Sequence, residues 1–274
     1  MNLCAPNEAF SCFACCPPIR PAGYDHLDYR SSIARELSDN RVRYLRDGPR
    51  FRPIVGFTCW ALGFLDARGR TAGCLLHPCR NNGEDLRNLV DYGNKCRRES
   101  CLPARTFDLM PTDHRRFWLV LVDGFDSFRY SSPRENPLFR ILLWGHEVLR
   151  HLQSEATLRS WGARDLLANH HFLMDSGWNP RSHRYLFRLT LDMRTDGTSS
   201  PEDLEKSCRN LWMRILALPL KQMTSPGTEQ EVPTHLLPME TDYLDFMRLA
   251  LGWKRTSPAV ARMLLEMILH LARE

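Results

Sequence analysis

The chain has 274 residues, 43% of them hydrophobic and 25% charged, which is ordinary globular composition and enough to bury one large core or two modest ones. Its 37 basic and 32 acidic residues leave a formal charge of +5, a mild excess spread along the chain and only slightly denser from Arg41 to Arg52. Nucleic-acid readers concentrate such charge in a patch or stripe, so this balance argues against them. The longest apolar runs, Phe117 to Val122 and Ile141 to Trp144, fall far short of the ~20 residues that cross a bilayer.

The first 24 residues are rich in Cys and Pro, and prolines at 6, 17, 18 and 21 forbid a regular helix there. They also lack the basic-then-apolar pattern of a signal peptide, so a cytoplasmic, reducing compartment is expected. From Asp25 to about Asp47 there is neither proline nor glycine, and Leu27, Ile33, Leu37 and Leu45 supply the apolar positions of a helix that Gly48-Pro49 ends. Residues 57–65 and 70–76 read as a β-hairpin reversed at Asp66-Ala-Arg-Gly69. A turn centred between Ala67 and Arg68 pairs Ala61 with Cys74 and makes Cys59 a diagonal neighbour on the same face, roughly 7–8 Å away. A polar loop and a short helix, Asp85 to Val90, lead to Cys96 and Cys101.

A soft boundary follows at Pro103, and the rest reads as helical. Helices are expected from Pro111 to Val122, from Pro137 to Leu152, within 154–174 with a break at Trp161-Gly162, and from Thr198 to Leu218. A final pair is expected at Thr241 to Gly252 and Ser257 to Arg273. Leu220 to Pro238 reads as a loop. The expected fold is thus mainly α: an irregular Cys-rich N-terminal metal-binding segment with a β-hairpin (1–103), then a helical domain (104–274).

Nine of the ten cysteines lie in the first 101 residues, with only Cys208 beyond. In a reducing compartment grouped cysteines point to metal binding or redox chemistry rather than to disulfides. Cys12-Phe-Ala-Cys15 has the spacing with which a tight turn aims two sulfurs at one ion about 2.3 Å away. Cys16 adds an adjacent thiol, which diverges from Cys15 in extended backbone. The candidate metal ligands are Cys12, Cys15, Cys16, Cys59, Cys74, Cys96 and Cys101, with His77 and Cys79 as outsiders, and at least four of those sulfurs are expected inside a sphere of about 4 Å radius. Cys208, on a helix, reads as a small buried hydrophobe.

These residues resemble a known pattern. Phe10-Ser-Cys12-Phe-Ala-Cys15-Cys16, Cys59-Trp-Ala-Leu62, Gly73-Cys74-Leu-Leu-His-Pro78 and Cys96 together resemble the family of zinc- or iron-chelating domains built on a CxxCC run. The resemblance spans roughly residues 10–101 and implies metal chelation by Cys12, Cys15, Cys16, Cys59, Cys74 and Cys96. Two departures stand out: His77-Pro78 replaces the family's Arg-Pro, and the gap from Pro78 to Cys96 is much longer, which makes Cys101 an alternative to Cys96. Zinc is favoured as cofactor over an iron–sulfur cluster, since the cysteine runs of ferredoxins and of radical-generating enzymes are absent.

Other signals are weaker. His146-Glu147 and His151 evoke the HExxH metalloprotease motif, but histidines five apart diverge by about 140° on a helix. His170 and His171 are adjacent and face different ways. Cys15 or Cys16 as a nucleophile needs a base such as His26 or His77, and a bound metal explains the same thiols with fewer assumptions. The leading functional reading is a metal-binding protein whose thiolate site has a structural or sensing role. A redox or iron–sulfur-dependent enzyme is the alternative, and a nucleic-acid-associated zinc module comes third. A protein partner fits the aromatic-rich remainder; no membrane partner is expected.

Overall fold

A computed structural model gives the fold and describes residues 1–14, 25, 27–52, 59–90, 92, 94, 96, 100–193, 201–220 and 231–274. Cys15 and Cys16 lie outside the described residues, as do the start of the expected first hairpin strand, the expected helix start at 198–200 and most of the expected 220–238 loop. The chain is mainly helical with two small two-stranded sheets, and it divides into two compact units, Met1–Leu142 and Leu143–Glu274.

In the first unit, helix α1 (Tyr29–Asp47) starts where the Asp28 carboxylate accepts the Ser31 N–H, satisfying a donor the helix itself cannot. Its buried residues Ile33, Leu37 and Asn40 recur at helical spacing and form one face. That face lies on strand β1 (Leu62–Phe64), which pairs antiparallel with β2 (Ala72–Cys74). Asn40 donates to the Leu62 carbonyl at 2.9 Å and Arg41 to the Phe64 carbonyl at 3.0 Å, so the helix satisfies the outer edge of the hairpin. Gly63 makes this approach feasible: a Cβ there would stand 2.8 Å from Leu75 Cδ1 and 3.3 Å from both Arg41 N and Leu37 O.

The register pairs Leu62, not Ala61, with Cys74. The reason lies in the loop: the Asp66 carboxylate accepts the N–H groups of Arg68, Arg70 and Thr71 at 2.8, 3.0 and 2.6 Å, which fixes a wider reversal than a turn centred on Ala67-Arg68. The strands are correspondingly shorter than expected. The segment Asp85 to Val90 is a series of turns rather than a helix. Asn88 N bonds to Asp85 O and Leu89 N to Leu86 O, while the Asp85 carboxylate is held by the Arg87 guanidinium with two contacts of 2.7 Å.

The first unit runs past the boundary expected at 103 because the N-terminal segment is sewn to later helices. These are α2 (Leu102–Leu109), α3 (Thr112–Leu119), α4 (Ser127–Ser131) and α5 (Pro137–Leu142). Buried Ser127 Oγ accepts from both Ser11 N (3.2 Å) and Ala72 N (3.0 Å), joining the segment, the hairpin and α4 at one atom. Ser131 Oγ accepts from Phe13 N, and the Tyr130 hydroxyl donates to the Leu3 carbonyl at 2.9 Å.

The expected helix from Pro137 to Leu152 is divided, and the second unit begins at the break. Helix α5 ends at Leu142, Gly145 takes φ +85°, and α6 (His146–Leu158) begins afresh. Helices α7 (Ala163–Asn169), α8 (Pro180–Asp192) and α9 (Pro201–Leu216) follow, then α10 (Thr241–Asp245) with a wider turn at Phe246–Ala250, and α11 (Pro258–Arg273). Strands β3 (Val232–Pro233) and β4 (Arg255–Thr256) pair antiparallel. Helix α8 was not anticipated, although Asn179 caps it and Pro180 opens it. Tyr185, Leu186 and Leu189 pack with Ile215, Phe246 and Leu264, while Arg181, Arg184 and Arg188 pair with Asp245, Asp242 and Glu147. No helix among the described residues is long and apolar enough to cross a membrane.

Gly73 tests the sewing directly. A Cβ there collides with Ser11 Oγ, whose 2.7 Å bond to the Ala72 carbonyl ties the N-terminal segment to β2. Gly73→Ala should cost about 1–3 kcal/mol in urea unfolding by overpacking this point. An unchanged midpoint would show that the segment yields without loss.

Candidate thiol site

The hairpin and α1 enclose a core of Ile33, Leu37, Trp60, Leu62, Phe64, Leu76 and Val90 in which Cys59 is buried, with Cys74 and Cys96 packed against it. Cys59 precedes a turn closed by Leu62 N donating to Cys59 O at 3.0 Å. That turn takes Cys59 out of the strand, so its position does not depend on the pleat, and the altered register does not separate it from Cys74. The three thiols share one electrostatic neighbourhood, Cys59 and Cys96 both acting on Cys74. Tyr44, from α1, adds its hydroxyl, which burial and Cys74 keep protonated above its ordinary range.

Burial pushes the Cys74 thiol up to about 12, and the two neighbouring thiols add to the rise. Two groups oppose it: the Leu76 N–H, which bonds to the sulfur, and the Arg87 guanidinium. Arg87 is oriented by Asp85 and also acts on Cys96; the Asp85 pair, with the thiols, holds it firmly protonated. The arrangement therefore places one buried and two partly buried thiols against the same apolar core, under the influence of the Arg87 guanidinium.

Cys12 and Cys101 take part in a second neighbourhood together with Cys4. All three act on the buried Tyr130 hydroxyl, which burial and these thiols keep protonated. Cys12 N donates to Cys4 O at 2.8 Å, the Cys12 sulfur accepts the Ala14 N–H at 3.4 Å, and Cys101 precedes the first residue of α2. Among the described residues no three Cys, His, Asp or Glu side chains are grouped so as to hold a metal ion, so the expected four-sulfur convergence is not found among Cys12, Cys59, Cys74, Cys96 and Cys101.

The outsiders have other employment. His77 accepts the Cys79 N–H through Nδ1 at 3.2 Å, and burial, helped by Arg87 and Arg80, pushes its pKa down to about 4. Exposed Cys79 accepts from Asn2 Nδ2 at 3.2 Å. In the second unit Glu147 pairs with Arg188, while His151 hydrogen-bonds Asp192 and buried His170 hydrogen-bonds Glu155, so Glu147 and His151 of the HExxH-like run are engaged with different partners. Cys208 is buried and donates to Thr190 Oγ1. The sequence reading missed Arg87, Asp85 and Tyr130. For Arg87 and Asp85 the available signal was an Arg two residues after an Asp in the long gap before Cys96; for Tyr130 there was none. Comparison with protein-family models, curated proteins and solved structures finds no match for the chain.

Two measurements follow from these environments. In metal-free folded protein at pH 8, iodoacetamide should alkylate exposed Cys79 first and Cys74 last, because a thiol near 12 presents roughly one thiolate in 10,000; peptide mapping that finds Cys74 labelled as fast as Cys79 contradicts this. His77, whose folded pKa of about 4 lies below its ordinary 6.5, binds its proton more readily unfolded. Its contribution to stability is full above about 6.5 and fades as pH falls towards 4. His77→Gln should flatten the pH dependence of unfolding in that window, and an unaltered slope refutes the assignment.

Proposed function

We propose that the protein is a cytoplasmic metal-binding protein in which Cys59, Cys74 and Cys96 form the core of a thiolate centre that stabilises or senses through the N-terminal unit. The observation that carries this reading is that Cys59, Cys74 and Cys96, distant in sequence, pack on one core, with Cys59 and Cys96 raising the Cys74 pKa beside Arg87, though they are not grouped closely enough to hold an ion by themselves. Burial makes a thiolate costly, and the mutual repulsion of three makes it costlier. A divalent ion bound by deprotonated sulfur relieves both, and an N–H donated to the Cys74 sulfur favours the same charged form.

The donor chemistry fits zinc, or alternatively an iron–sulfur cluster, since both take thiolates. Three sulfurs leave a four-donor site one short, and Cys15 and Cys16 of the CxxCC run are the sequence's supply of further thiols. This agrees with the resemblance to CxxCC chelating domains, which rests on the quoted residues. Zinc in such a set gives a closed, redox-silent cross-link; a cluster would add electron transfer. On this chain's side, the Asp85–Arg87 pair keeps a guanidinium acting on Cys74 and Cys96, and Tyr44 packs against the same apolar core.

Elemental analysis of the full chain purified without oxygen tests this. Stoichiometric zinc in a colourless protein, or iron with a broad band near 400 nm, is the expected result. Cys74→Ser and Cys96→Ser should each lose the metal, whereas Cys208→Ser should keep it. A metal-free protein, or metal retained by both of the first two variants, overturns the reading.

A further inference from the structure

We propose that the second unit carries a small-molecule site between α8, α9 and α11, which takes an amphipathic monocarboxylate on Arg214 in exchange for the Glu274 carboxylate. The three helices leave a cavity of about 320 Å³, at the small end of the range for ligand sites. Asn210, Leu211 and Arg214 recur at helical spacing from Ser207, so one face of α9 forms a wall of it. Thr190 and Met193 line it from α8, and Leu271 from α11. Cys208 donates to Thr190 Oγ1 at 3.3 Å, which ties α9 to α8 beside the cavity.

Arg214 supplies the positive charge, and its contacts indicate the ligand. Its Nη1 donates to the Leu271 carbonyl at 2.8 Å, which fixes the guanidinium, and its Nη2 bonds to the Glu274 carboxylate. The chain thus fills the anion position with one of its own carboxylates. That pair is open to water, with Arg214 40% and Glu274 51% exposed. An exposed ion pair contributes little, so a second carboxylate replaces Glu274 at small cost. Glu274 keeps its other partner, His270 Nε2, at 3.1 Å from Oε1. Buried Leu211, with Leu271 and Met193, offers the apolar surface that a hydrocarbon tail needs. One guanidinium beside such a wall suits a single carboxylate with a tail better than a dianion or a sugar.

Octanoate is the probe, titrated into the full chain by isothermal calorimetry. Saturable one-site binding is expected, with hexanoate weaker by up to about fifteenfold, because each buried methylene adds about fourfold. 1-Octanol, which has the tail without the charge, should bind at least about tenfold more weakly, the worth of a hydrogen bond to a charged group. Glu274→Gln removes the internal competitor and should tighten octanoate by about two- to fivefold, the range for an exposed pair. Arg214→Gln should abolish binding. Because Arg214 also holds the Leu271 carbonyl, Ser207→Trp gives a second check, blocking the cavity from an exposed position with the unfolding midpoint unchanged. Heat that never saturates, or octanol bound as well as octanoate, overturns the proposal. So does unchanged or weaker binding in Glu274→Gln, or octanoate still bound by Arg214→Gln or Ser207→Trp.

Discussion

A thiol that loses its water must stay neutral or find a cation, and the core formed by α1 and the hairpin confronts three of them with that choice. Cys74 is the extreme case: burial above all pushes its thiol up to about 12, Cys59 and Cys96 add to the rise, and Arg87 opposes it. One guanidinium does not balance three thiolates. As neutral thiols they are small core hydrophobes; as thiolates they are disfavoured by burial and by one another, and Arg87 offsets part of that cost. The proposed metal ion would offset the rest.

The pocket exists because several weak constraints agree. Gly63 allows the α1 backbone onto the strand, and Asn40 and Arg41 satisfy the strand's outward carbonyls. Ser127 accepts two N–H groups from opposite sides and binds the N-terminal segment, the hairpin and α4 together. The same sewing sets Cys4 and Cys12 beside Tyr130, so one architectural device shapes both thiol neighbourhoods. The two differ in their surroundings: one set is influenced by the Arg87 guanidinium, while the other acts on the buried Tyr130 hydroxyl.

Helical character, the hairpin and the closing helices were legible in the sequence because periodicity and caps are local signals, as at Ser257-Pro258 and Gly48. The hairpin register was not, since Asp66 gathers three N–H groups and widens the loop by side-chain bonding that spacing does not reveal. Helix α8 went unread because Arg181, Arg184 and Arg188 interrupt its apolar face, and their acidic partners lie far along the chain. Among the candidate ligands, the hairpin pointed to Cys59 beside Cys74, and both pack on one core; that Cys96 joins that core was not encoded locally. The association of Cys12 and Cys101 with Cys4 depends on long-range bonds such as Phe13 to Ser131, which no local pattern encodes.

X-ray absorption at the metal edge of anaerobically purified full chain addresses the sharing of an ion by these thiols most directly. The account predicts a shell of at least three sulfur scatterers at about 2.3 Å. A shell of nitrogen and oxygen alone, near 2.0–2.1 Å, would contradict it.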